Sequence, residues 1–254
     1  NATRGGIFNY IYVLFKLVFT PAIMKSADAI VAVTYETERF MENVYGVPRE
    51  RIKVIPLGVD TALFHLDPVT REKIRAKYGI HDDDVVFIYA GKIVSAKGPH
   101  LLVEAALKIV NNHPNVKIML VGGSKPNYKR LLERAINLSR FENNFVFIPV
   151  VPNEELYKYY SAADVGVWPL KCSMTMLEAM SCGLPVIISN NSGALERISE
   201  GNGLMYREGN VKDLVEKMKT MLNSKLRKTM GLRARKFAQK NDWNIISKKF
   251  LEVV

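Results

Sequence analysis

Between residues 85 and 189, five short runs rich in Val, Ile and aromatic side chains alternate with helical patterns. The runs are 85–89, 116–121, 145–148, 164–168 and 185–189, and helical spacing fills 99–111, 127–139, 153–161 and 174–182. A strand that follows a helix rejoins the sheet in the same direction, through a right-handed crossover. The pattern therefore predicts an α/β fold, a Rossmann-like doubly wound parallel sheet with helices on both faces. An apolar fraction of 48% in 254 residues is enough for the core that such a sheet needs. Trp168 ends one of these runs and is expected in that core. Three closing helices are expected at 211–222, 224–240 and 244–252, the last entered through Asn241-Asp242-Trp243.

The earlier part reads differently. Residues 7–19 are almost continuously apolar, broken by Asn9 and Lys16, with Pro21 close behind. Such a run is too short and too interrupted to span a bilayer comfortably. It is expected to lie buried against another domain or to rest on a membrane surface. A buried strand at 29–33, a helix at 36–45 closed near Gly46 and a strand at 53–56 follow. This is the layout of the tail of a first Rossmann-like domain whose earlier strands are absent. The chain opens at Asn1 without a complete signal-peptide pattern, so it is read as a fragment of a longer protein.

Composition narrows the partners. Lys and Arg number 36 against 25 Asp and Glu, a formal charge of +11, which suits nucleic acid, anionic lipid or phosphorylated substrates. Lys125, Lys129, Arg130 and Arg134 fall at helical spacing, and Lys225, Arg227, Lys228, Arg233, Arg235 and Lys236 form a second group. Both read first as solvated helix faces, and second as a membrane-facing surface. Nucleic acid is not an expected partner, because no RNP-like aromatic motif or zinc-finger spacing accompanies the charge. Cys172 and Cys182 stand outside any CxxC spacing, which speaks against structural zinc and disulfides and for a reducing, cytoplasmic setting. His65, His81, His100 and His113 are scattered near loops or helix ends, and none is assigned to catalysis.

The stretch from Ser173 to Ile188 carries the chemistry. A short helix opens at Ser173, Met174 and Thr175, carries Glu178 one turn in, and ends at Gly183 before Pro185 leads into a strand. The first N–H groups of a helix lack partners within it, and its dipole adds about half a positive charge there. A phosphate and a carboxylate-binding group such as a diol are thus met at one place. Upstream, Gly91, Lys92, Lys97 and Gly98 lie in the loop after the 85–90 strand, at the carboxyl end of the sheet where ligands of such folds sit.

The string Glu178-Ala179-Met180-Ser181-Cys182-Gly183-Leu184-Pro185-Val186 resembles the signature of the family-4 retaining glycosyltransferases (glycosyltransferase group 1, of GT-B architecture). Other pieces of that pattern appear in order: Val54–Asp60 as Val-Ile-Pro-Leu-Gly-Val-Asp, Tyr89-Ala90-Gly91-Lys92 with Lys97-Gly98, Leu120-Val121-Gly122-Gly123, Glu155-Leu156 through Ala163-Asp164-Val165, and Asn202-Gly203-Leu204. The resemblance covers nearly the whole chain. It implies three parts: 1–62, a remnant of an N-terminal acceptor-side domain with its linker; 63–240, a nucleotide-sugar-binding domain; and 241–254, a helix crossing back to the first domain.

The same resemblance implies roles. Lys92 and Lys97 would neutralise the leaving diphosphate and Glu178 would accept from the ribose hydroxyls, these three being the candidate catalytic residues. Gly91, Lys171, Ser173, Met174, Thr175 and Val150 complete the donor site, with Val150 at the base and Ser173–Thr175 at the distal phosphate. Two departures stand out. Lys92 replaces the family's usual arginine, a point charge in place of a planar fork. Leu170 stands where most members carry a glutamate that touches the donor sugar, and Lys171 beside it is a candidate cationic contact. No metal and no further cofactor are expected beyond the donor, a UDP-, GDP- or ADP-sugar. The implied reaction retains the anomeric configuration by front-face departure and attack, with a glycan or lipid-linked hydroxyl as acceptor. The missing N-terminal domain would be needed for turnover, and the inner membrane face is a possible location. Two alternatives remain: a non-catalytic nucleotide-sugar-binding or scaffold subunit, and another two-Rossmann enzyme such as a sugar-nucleotide epimerase.

Overall fold

The computed structural model describes residues 6–191 and 195–253. They form two compact units, one made of residues up to Leu57 together with those from Asn244 onward, the other Gly58–Trp243.

In the first unit, α1 (Gly6–Ser26) is followed by β1 (Ile30–Ala32), α2 (Tyr35–Tyr45) and β2 (Ile52–Val54). The helix α1 does not stop before Pro21 but runs 21 residues through it. Proline cannot donate to the Leu17 carbonyl, so the helix continues with one rung missing. Among the described residues, no helix is long and apolar enough to cross a membrane. Leu14, Leu17, Val18 and Ile23 are all more than half exposed. The strands β1 and β2 pair in parallel, Ile30 with Ile52 and Ala32 with Val54. The helix α2 opens on Thr34, whose hydroxyl accepts the Thr37 N–H, and closes on Gly46 in the left-handed conformation. The guanidinium of Arg51 ties the end of α1 to this pair through the Met24 and Ala27 carbonyls.

The second unit holds α3 (Pro68–Lys77), β3 (Val85–Ala90), α4 (Pro99–Ile109), β4 (Val116–Val121), α5 (Pro126–Asn137), β5 (Phe145–Ile148), α6 (Leu156–Ala162), β6 (Val165–Trp168), α7 (Met174–Ser181), β7 (Val186–Ser189), β8 (Gly203–Tyr206), α8 (Val211–Thr220) and α9 (Ser224–Lys240). The last helix of the chain is α10 (Trp243–Leu251). Six strands make one sheet in the order β5-β4-β3-β6-β7-β8, every pair parallel. The Rossmann-like expectation holds. All six residues of β3 are buried, as befits a central strand covered on both faces.

Strand order reverses between β3 and β6, because the chain builds outward to β5 and then returns to the other side of β3. A crevice opens at the carboxyl end of such a switch point. Two elements that the alternating pattern leaves unread, α3 and β8, complete the unit. Asp67 caps α3 by accepting the Val69 and Thr70 N–H groups, and Pro68 occupies its first position.

Two of the six residues in the second basic group do not form a solvated face. Arg235 donates to the Phe64, Ser181 and Thr61 carbonyls, and Arg227 to the Met221 and Leu222 carbonyls that end α8. Their forked donors satisfy chain ends that would otherwise lack partners.

Candidate active site

The loop after β3 and the start of α7 meet at the switch point. Thr175, in the first turn of α7, donates its hydroxyl to the Ala90 carbonyl at 2.8 Å. The indole N–H of Trp168 is shared between that carbonyl at 3.2 Å and Thr175 Oγ1 at 3.1 Å. Trp168 is only 1% exposed, so it is a core residue as expected, but one that also pins the helix to the strand. Gly91 and Lys92 follow Ala90 directly, and the Tyr89 hydroxyl holds the Lys92 carbonyl at 2.8 Å. Lys92 is exposed and Lys97 half-buried, and neither makes an ion pair among the described residues.

Glycine is required where this loop passes its neighbour. A Cβ on Gly122, whose φ is +139°, would stand 2.0 Å from the Gly91 carbonyl oxygen. The close approach lets the ladder run past the strands, with Gly91 N–H bonded to the Val121 carbonyl and Ile93 N–H to the Gly123 carbonyl.

Beyond Gly122 lies a recess of about 550 Å³ lined by Ile93, Gly123, Ser124, Lys129, Phe147 and Val150. Val150 is 72% exposed there, with apolar atoms open to whatever enters. Lys129, exposed as a solvated face requires, also borders this recess, its ammonium 5.8 Å from the Phe147 ring centre and 3.3 Å from Glu133.

Ser173 precedes α7 but does not cap it with its side chain, because its hydroxyl is engaged with Thr175 Oγ1 at 2.6 Å. The first-turn N–H groups at Met174 and Thr175 are therefore left uncapped by Ser173. Lys171 is exposed in the same turn. Leu170 packs against the Lys97-Gly98 turn: a Cβ on Gly98 would lie 2.6 Å from Leu170 Cγ.

Glu178 is 7% exposed. It accepts from the Tyr160 hydroxyl at 3.3 Å and from the Asn153 side chain, whose turn lies three residues past Val150. Burial raises its carboxyl above the ordinary range, and those two hydrogen bonds only partly oppose the shift. No cation pairs with it among the described residues. It is not hydrogen-bonded to either lysine; the three groups are joined through α7, Thr175 and Ala90. The Tyr160 hydroxyl, fully buried beside this acid, is likewise pushed well up by burial.

Several residues of this arrangement were not read from the sequence: Trp168 as a clamp, Tyr160 and Asn153 on Glu178, and Ser124 and Lys129 at the recess. Their roles depend on which strands become neighbours, and the sequence pattern does not give that order. The triplet Asp82-Asp83-Asp84 fits an Asp-x-Asp spacing, but it enters β3 at the amino end of the sheet, and Asp84 accepts the His81 N–H there at 2.7 Å. Among the described residues, no group of three His, Cys, Asp or Glu could hold a metal. His100 has its Nδ1 2.8 Å from the Tyr128 hydroxyl, and burial lowers its pKa.

Comparison with known proteins follows the same lines. The profile of Glycosyl transferases group 1 matches residues 70–237, and that of Glycosyltransferase Family 4 matches residues 7–63. A D-inositol 3-phosphate glycosyltransferase of Nocardia farcinica is 30% identical over 241 residues, covering 91% of this chain and 53% of that protein. Spore coat protein SA of Bacillus subtilis is 29% identical over 81% of the chain and 59% of its own length. The chain thus spans between half and three fifths of these relatives. Among solved structures, a glycosyltransferase from Rickettsia africae superposes with a TM-score of 0.83 at 23% identity, over 94% of this chain and 65% of that one. Anabaena Alr3699/HepE, solved with UDP and glucose, gives 0.81 at 23% identity over 93% and 65%. These likenesses establish the fold.

Proposed function

We propose, from the premise that this chain belongs to the Glycosyl transferases group 1 family, that it supplies the donor-binding half of a retaining glycosyltransferase. The enzyme would move a sugar from a nucleoside diphosphate to a hydroxyl of a glycan or lipid-linked acceptor. The observation that carries this reading is the Thr175–Ala90 bond, which holds the loop of Lys92 and Lys97, neither in an ion pair among the described residues, to the start of α7.

Each part has a matching task. The recess around Val150 takes the base, with backbone and apolar surface that do not discriminate uracil, guanine and adenine. Glu178 reaches the ribose hydroxyls, since a carboxylate accepts from both at once. The N–H groups at Ser173, Met174 and Thr175 and the dipole of α7 take the distal phosphate. Lys92 and Lys97, with Gly91 between strand and lysine, balance the charge that grows on the diphosphate as the glycosidic bond breaks. Those lysines and the dipole do the work of neutralisation, with no Mg²⁺ step. The named activities of the relatives, and the UDP and glucose of Anabaena Alr3699/HepE, support a nucleotide-sugar donor.

Residues 1–62 then belong to the acceptor-side half, 63–240 to the donor half, and 241–254 to the helix returning to the first. Contact with an anionic inner membrane face through the apolar α1 and the basic helices suits a lipid-linked acceptor. Leu170 favours one second reading, a nucleotide-sugar-binding subunit without turnover. Titrating the 254-residue chain with UDP, GDP and ADP sugars tests the first reading. Weak binding to one nucleotide series, lost on Lys92→Ala or Lys97→Ala, with little or no transfer by the chain alone, is expected. Absence of binding to all three series overturns it. Turnover lost on Glu178→Ala in a protein that also carries an acceptor-side domain separates the enzyme from the subunit.

A further inference from the structure

Position 170 lacks a carboxylate, yet one stands close by in space. The Leu170 side chain lies against Gly98, while its carbonyl accepts from Ser189 Oγ at 3.2 Å. The same hydroxyl lies 2.8 Å from Glu208 Oε2. Glu208 Oε1 accepts the Asn191 side-chain amide at 3.0 Å, and the Glu208 N–H donates to Asn190 Oδ1 at 3.0 Å. Glu208 is half-buried, and no cation pairs with it among the described residues.

The order of strands gives this acid its meaning. Along the carboxyl edge of the sheet come the recess at β5 and β4, the lysine loop after β3, and the start of α7 after β6. Ser189 and the two asparagines after β7 come next, and Glu208 after β8 is last. Neighbouring strands lie about 4.8 Å apart. On the donor-half reading, a nucleotide-sugar with its base in the recess and its diphosphate at the switch point would have its sugar beyond β6, on the side of β7 and β8. A carboxylate has about four acceptor positions; the Asn191 amide takes one, and the Ser189 hydroxyl, whose single proton is shared with the Leu170 carbonyl, takes part of a second.

We propose that Glu208 supplies, from the end of β8, the carboxylate that position 170 lacks, and accepts a hydrogen bond from a hydroxyl of the transferred sugar. This rests on the donor-half reading above. It makes Glu208 a determinant of the sugar and not of the nucleotide, and calls for a neutral hexose with a free hydroxyl on that side.

Calorimetric titration of the chain and of Glu208→Gln with UDP, GDP and ADP, and with their glucose conjugates, tests it. For the nucleotide series that binds, the variant is expected to hold the free diphosphate within about twofold of the unchanged chain. It should bind the sugar conjugate about tenfold more weakly, a shift of about 1.4 kcal/mol. If Glu208 only staples the ends of β7 and β8, the two ligands weaken equally or neither changes, and the proposal is overturned. If the unchanged chain binds no nucleotide, the donor-half reading fails first and takes this inference with it. Tight diphosphate binding with an unaltered sugar preference removes the role of Glu208 alone.

Discussion

At the amino end of the six-stranded sheet, Asp164 accepts the Val86 N–H at 2.8 Å and pairs with Arg71 at 2.8 Å and Arg75 at 3.4 Å. Arg75, 3% exposed, also donates to the Ala162 and Asp84 carbonyls. At the carboxyl end, Lys92 and Lys97 face no carboxylate among the described residues, Glu178 is buried without a cation, and the chain is thinned to glycine at 91 and 122. One end closes its charges on itself; the other leaves them open. Removing one partner from the first arrangement strands a buried charge, whereas the second has no such partner to lose, and open charge of this kind marks a candidate ligand site.

The largest expected effect tests the closed end. Asp164→Ala leaves Arg75 buried without its partner and the Val86 N–H unbonded, at about 3–5 kcal/mol. Thermal unfolding should fall by about 10 °C. Nucleotide affinity of the folded fraction should not change. A shift under about 2 °C would mean that the two ends do not differ in the way described.

Next come the open lysines. Lys92→Ala or Lys97→Ala should each lower transfer by about 100-fold, close to 3 kcal/mol, in a protein carrying both halves. Stability of this chain should stay within about 0.5 kcal/mol, since neither ammonium is paired. A large stability loss without a kinetic one reverses the contrast.

Glu178 sharpens it. Its folded carboxyl is raised by burial, so the folded chain keeps its proton at a pH where the unfolded chain has lost it. Stability is then greatest below the ordinary carboxylate value, declines as pH rises through the raised one, and is flat above it. Nucleotide binding through the ionised carboxylate runs the other way and strengthens across the same interval. Glu178→Gln should raise stability by about 1 kcal/mol, weaken nucleotide binding by about tenfold, and flatten both pH profiles. Unfolding and titration at a series of pH values check all three, and a variant less stable than the unchanged chain at neutral pH counts against the burial argument.

How much of this could be read from sequence follows the physics of each element. The strands from β3 to β7 were legible because buried parallel strands are continuous apolar runs. The strand β8 was not, being four residues at an edge with Met205 exposed. Without β8, the neighbourhood of Glu208 has no sequence signal at all. The positions of Lys92 and Lys97 in the loop after β3 and of Glu178 on α7 were legible from the alternating pattern, while their roles and that of Val150 were only implied by the resemblance. The direction of a charged side chain is not encoded by spacing, so Arg227 and Arg235 read like their solvated neighbours although they bond inward. The extent of α1 was not read from the sequence either: a proline ends a helix only when the lost rung is not outweighed, and here α1 continues beyond Pro21.

The smallest effect is the one that ties both halves of the site together. Thr175→Val keeps the shape of the side chain and removes the hydroxyl that donates to Ala90. The Trp168 indole still reaches that carbonyl at 3.2 Å, so the acceptor is not left bare and the loss should be about 1 kcal/mol. In thermal terms that is about 2–4 °C. The start of α7 would nonetheless be freer relative to the Gly91-Lys92 backbone, and a phosphate held from both sides feels that play more than the fold does. Diphosphate affinity should therefore drop several-fold, more than a comparable loss of stability elsewhere, such as Ser139→Ala at the end of α5, produces. If affinity holds while stability falls, the bond is part of the core alone, and the open end of the sheet is organised by Trp168.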